Sequence, residues 1–75
     1  MIINLPFSAL RAFEAVARHG GFSSAAGELG VSQSAISQQV KTLEEWLGQE
    51  LLIRGARQSV LNREGKQLAQ AIIEG

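Results

Sequence analysis

Gln33, Ser34, Ser37, Gln38 and Lys41 fall at i, i+1, i+4, i+5 and i+8, a spacing that gathers them on one side of an α-helix. Amides and hydroxyls suit the edges of nucleic-acid bases: glutamine can bond adenine at two points, and serine donates to or accepts from several bases. The plain alternative is a solvated helix face, although such faces more often carry Glu/Lys pairs. Ser23, Ser24 and Ser32 stand at the starts of two helix candidates, where free N–H groups and partial positive charge suit a phosphate. Arg54 and Arg57 flank and tip a candidate hairpin, where they could reach a nucleic-acid backbone or minor groove. For Arg54 the alternative is an ion pair with a glutamate of the long helix. For Arg57 and Lys41 it is a solvated surface charge.

The inventory excludes much else. The chain has 75 residues, with no cysteine, no aspartate and one histidine. Disulfide scaffolds, thiolate zinc sites and cysteine nucleophiles are ruled out, and little remains for a catalytic triad or a histidine metal site. No nucleophile–base pairing, metal spacing or Gly-rich phosphate loop stands out, so the expectation is a non-enzyme without a cofactor. No apolar run approaches the length of a membrane span, and no signal pattern opens the chain, which points to a cytoplasmic domain with no membrane partner. Apolar content of 45% against 19% charged is globular, not disordered. Seven Lys/Arg balance seven Glu. A nucleic-acid binder is expected to be basic, so the balance is the one feature favouring the other class of function, a module that binds protein.

Five segments position these residues. A helix is expected from about Ala9 to Arg18, capped by Ser8 and stopped at Gly20-Gly21. A short helix follows from about Ser24 to Leu29, capped by Ser23; its Ala25, Ala26 and Gly27 imply a close helix crossing. Gly30 ends it and Val31 plugs the corner. Ser32 caps a long helix, Gln33 to Leu47, with Ile36, Val40, Leu43 and Leu47 as its apolar stripe and Gly48 as its stop. Leu51–Arg54 and Ser59–Leu61 form a hairpin with Gly55–Gln58 at its tip. Asn62 caps a last helix, in which Leu68, Ala69, Ile72 and Ile73 form a stripe suited to a partner. Gly65 inside that helix suggests close packing against the body. Trp46 is expected in the core or half-buried, Glu44-Glu45 as a solvated or dimer-facing charge pair, and His19 as a helix-end cation.

Helix, short helix, tight turn, long helix, hairpin, helix is the order of a winged helix-turn-helix, mostly α with a small two-stranded β-wing. The stretch LRAFEAVARHGGFSSAAGELGVSQSAISQQVKTLEEWLGQELLIRG resembles the N-terminal DNA-binding domain of LysR-type bacterial transcriptional regulators. The combination of Phe22-Ser23, Ala25-Ala26, Val31-Ser32-Gln33, Ile36-Ser37, Leu43-Glu44 and Leu47-Gly48 carries the likeness. The opening ALRAFEAVARHGGF is similar to the branch that holds the glycine-cleavage activator and the chromosomal β-lactamase regulator.

The resemblance implies that residues 1–62 are the winged domain and 63–75 the start of a linker helix. It places Gln33, Ser34, Ser37 and Gln38 at bases or nearby phosphates, and Arg54 and Arg57 on backbone or minor groove. It implies a homodimer through the last helix, weak in a chain of this length, that reads an interrupted palindrome in double-stranded DNA. A larger C-terminal domain, absent from this sequence, would bind a small-molecule co-inducer, so the chain is expected to be a fragment. The family commonly has Pro at Ser34, Arg at Gln38, Phe at Leu52 and Thr at Asn62. The first two differences lie on the reading face and imply altered base preference and one lost phosphate-binding charge.

Overall fold

The structure, a computed structural model, describes residues 6–53 and 60–74. Helix α1 runs Phe7–His19, α2 Phe22–Leu29, α3 Gln33–Leu47 and α4 Arg63–Glu74; strands β1, Leu52–Ile53, and β2, Val60–Leu61, lie between α3 and α4. The strands pair antiparallel, Leu52 with Leu61 and Ile53 with Val60.

Helix α1 is the hub. Its Ala9, Ala12, Phe13, Ala15 and Val16 are buried, and it packs against α2, α3 and α4. It begins earlier than the Ser8 cap implied. Pro6 is the N-cap, and its carbonyl accepts the Leu10 N–H at 3.0 Å, so Ser8 lies within the first turn and caps nothing. Helix α2 likewise begins at Phe22, after an extended Gly21, and not after Ser23. Phe22 is half-buried against the core, and this packing accounts for the earlier start.

Ala25 and Ala26 are the buried residues of α2 and make the expected close crossing. Gly27 takes no part in it: a Cβ built there meets nothing within 4 Å. Gly30 closes α2 in the left-handed region, φ 69°, where a side chain would be strained. The Val31 N–H returns to the Ala26 carbonyl at 3.1 Å, a helix-ending pattern that turns the chain sharply. The Val31 side chain does not plug the corner; it is 46% exposed. Leu29 packs against the core in its place.

Ser32 and Gly48 bound α3 where the sequence put them. The Ser32 Oγ accepts the Ala35 N–H at 3.1 Å, and Gly48 is left-handed with its N–H on the Glu44 carbonyl. Ile36, Val40 and Leu43 are buried, and so is Glu44. Trp46 departs from expectation: it is 48% exposed. It lies three residues from the buried Leu43, on the flank of α3 that carries the exposed Thr42.

Candidate nucleic-acid interface

The buried stripe of α3 fixes what its other side presents. Gln33, Ser34, Ser37, Gln38 and Lys41 are all exposed, on one surface facing away from Ile36, Val40 and Leu43. No hydrogen bond occupies these side chains among the described residues. Glu45, four residues after Lys41, is also exposed and ends that surface with a carboxylate. A polyanion is therefore best received by the first half of α3, over residues 33–41.

The first turns of α2 and α3 are the other candidates for an anion. The α2 cap, Gly21, has no side chain to satisfy the first-turn N–H groups, which stay open to an acceptor. Ser23 and Ser24 are exposed in that turn. At α3 the Ser32 oxygen is spent on Ala35, while its hydroxyl proton remains available to a phosphate oxygen. Arg54 and Arg57 lie outside the described residues.

The base of the wing is tied to both neighbouring helices. Glu44 was expected in a solvated or dimer-facing charge pair with Glu45, yet it is 6% exposed, and its Oε2 accepts the Leu51 N–H at 2.8 Å. The Leu51 carbonyl accepts the Asn62 N–H at 3.0 Å. Asn62 caps α4 as expected, its Oδ1 accepting the Gly65 N–H at 2.8 Å. Its Nδ2 also donates to the Glu50 carbonyl at 2.9 Å. Gly65 is required there, because a Cβ would lie 2.2 Å from the Leu51 oxygen. The sequence held a signal for Glu44: with Val40, Leu43 and Leu47 it completes an i, i+3, i+4, i+7 set.

A second polar cluster joins α1 to α2. Arg18 bonds Glu14 through Nε at 2.7 Å and Glu28 through Nη2 at 2.6 Å. His19 Nε2 lies 2.6 Å from Glu28 Oε1. Hydrogen bonds from Arg18, then from His19, hold the Glu28 carboxyl down at about 2. Arg18 likewise lowers the Glu14 carboxyl. The cluster is exposed and internally matched, so His19 serves the fold.

On α4, Ala69 is buried in the domain's own core, with Leu68 and Ile72 half-buried against it. That stripe serves the chain's own packing first. The side chain of Ile73 lies outside the described residues. Among the described residues no group of three or more His, Cys, Asp or Glu is placed to hold a metal ion, and no helix is long and apolar enough to cross a membrane.

Three helices with a tight turn before the third, followed by a two-stranded wing, define a winged helix-turn-helix domain. Residues 7–66 match the bacterial regulatory helix-turn-helix proteins of the lysR family, and the chain belongs to that family. Its members are transcriptional regulators, not enzymes. The chain is 53% identical over 64 residues to the HTH-type transcriptional activator AmpR of Citrobacter freundii, covering 85% of this chain and 22% of that protein. It is 49% identical over 61 residues to the glycine cleavage system transcriptional activator of Escherichia coli K12, covering 81% of this chain and 20% of that protein. The chain thus spans about a fifth of the length of these relatives. The crystal structure of the BenM DNA-binding domain in complex with catB site 1 DNA superposes with a TM-score of 0.82 at 39% identity, covering 89% of this chain and 74% of that one.

Proposed function

We propose that this chain binds double-stranded DNA sequence-specifically, as the DNA-binding domain of a transcriptional regulator, with the first half of α3 in the major groove. The observation that carries the reading is the exposed surface of Gln33, Ser34, Ser37 and Gln38 on a helix whose opposite stripe is buried. Base contacts come from these four residues. Phosphate contacts come from Ser23, Ser24, Ser32, Lys41 and the wing arginines Arg54 and Arg57. The BenM DNA complex, on a like fold, supports this mode. No metal or cofactor is needed, and the setting is the cytoplasm. A co-inducer would act only through a further domain of the whole regulator.

The reading extends to a homodimer on an interrupted palindrome. The half-buried Leu68 and Ile72 of α4 keep surface for a second copy. With Ala69 spent on the core, that pairing is weak in these 75 residues.

Alanine at Gln33 and at Ser37 tests the assignment. Both side chains are exposed, so folding is spared. Each change should cost about 1–3 kcal/mol of specific affinity and relax preference at its own base pair. Full affinity and unchanged preference in both variants would overturn the placement of α3.

A further inference from the structure

We propose that Glu44 is a positioning residue for DNA binding, holding the wing at a fixed offset from the reading half of α3. The inference rests on the DNA-binding reading and goes beyond it, because Glu44 faces inward and touches no nucleic acid. Its carboxylate is buried and accepts the Leu51 N–H at 2.8 Å, one residue before β1. That N–H lies outside the strand pairing, which runs Leu52 with Leu61 and Ile53 with Val60. The opposite side of the same peptide segment is fixed by Asn62, which bonds the Leu51 and Glu50 carbonyls and caps α4. Gly65 lets α4 close onto the Leu51 oxygen. Residues 50–51 are thus gripped from α3 on one side and from the β2–α4 junction on the other. Gly48 ends α3 only three residues before Leu51, and the Gln49 N–H between them also returns to the Glu44 carbonyl at 3.1 Å. Glu44 is therefore the side-chain link by which the orientation of α3 dictates where the wing begins.

Two variants separate the hydrogen bond from the charge. Glu44→Gln keeps an oxygen that can accept the Leu51 N–H; Glu44→Ala removes it. Amide hydrogen exchange of the free 75-residue chain reads the link without DNA. Glu44→Ala should lose protection at Leu51 and the β1–β2 pairs while α1 and α2 keep theirs, and Glu44→Gln should stay near the parent. Titration against the duplex selected by the parent protein reads the consequence. Glu44→Ala should bind about tenfold more weakly. Its log–log salt slope should be shallower by about 1 as a wing phosphate contact is lost, with Glu44→Gln restoring both. If Glu44→Ala fails to fold, Glu44→Asp, which withdraws the carboxylate by one methylene, takes its place with the same expected direction. A folded variant with parental affinity and slope overturns the proposal, as does Glu44→Gln behaving no better than Glu44→Ala. If the parent shows no specific binding, the DNA reading itself falls, and with it the proposed role; the exchange data then decide only whether the link exists.

Discussion

Gly27 and Gly65 both sit inside helices, and the same substitution at the two should have opposite effects. Gly27 faces open space, so Gly27→Ala gains helix propensity and should stabilise the domain by about 0.5–1 kcal/mol. At Gly65 a methyl group would meet the Leu51 carbonyl oxygen at 2.2 Å. Gly65→Ala should therefore destabilise by about 1–3 kcal/mol, the usual cost of overpacking. Urea denaturation of both variants checks the signs; a stabilising Gly65→Ala would mean that α4 does not close on Leu51. Glu45 is the other single residue with a consequence. It places a carboxylate at the end of the reading surface, so Glu45→Gln should tighten DNA binding at low salt and do little at high salt, where screening is strong. Anisotropy at two salt concentrations decides it. From the sequence Gly27 belongs to a small-residue crossing and Glu44 to a solvated or dimer-facing charge pair. Both errors have one cause: which side of a helix faces the core depends on how its neighbours cross, and spacing alone leaves the edges of a stripe unassigned.

Elements were legible in proportion to their capping chemistry. Helix α3 carries a Ser cap, a clean apolar stripe and a terminal Gly, and its bounds emerged from the sequence intact. The starts of α1 and α2 did not, because a proline and an extended glycine served as caps where Ser8 and Ser23 looked better qualified. Neither cap has a side-chain acceptor, so neither leaves a sequence signal. The pairing of α1 with α2 was equally hidden, since Glu14, Arg18, His19 and Glu28 become one cluster only once the Gly20-Gly21 turn brings the helices together. That cluster has a pH signature. The Glu28 carboxyl sits near 2, below its ordinary value of 4.5. A depressed folded-state value means the stabilisation is complete above the ordinary value and fades as pH falls from there through about 2. The thermal midpoints of the parent and of Glu28→Gln should therefore differ near neutrality and converge in acid. Added salt should narrow the gap, because the pair is exposed. A constant difference from neutrality into acid would show that Glu28 acts by packing and not by charge.

For the whole molecule the question is how a chain of zero net charge holds a polyanion. The design is local. On the proposed reading, base-edge donors and acceptors, helix N-termini and a few cations would serve DNA, while Glu14 and Glu28 are matched to Arg18 and Glu44 is turned inward. The fold class was legible from the order of the elements, and the exposed polar side of α3 from its spacing against the apolar stripe. The partner side of α4 was not, because an apolar stripe looks the same whether it meets its own core or another copy. Neutralising three or four phosphates per domain corresponds to a log–log salt slope of about −3, shallower than a strongly basic domain would give. The most direct test of the central claim is selection of binding sites from random duplex DNA, followed by titration of the selected site at several salt concentrations. The expected result is a two-fold-symmetric site bound at least about a thousandfold more tightly than random duplex, with that slope per domain. Binding without sequence preference, or none even at low salt, would contradict it and favour a protein partner for the same surface.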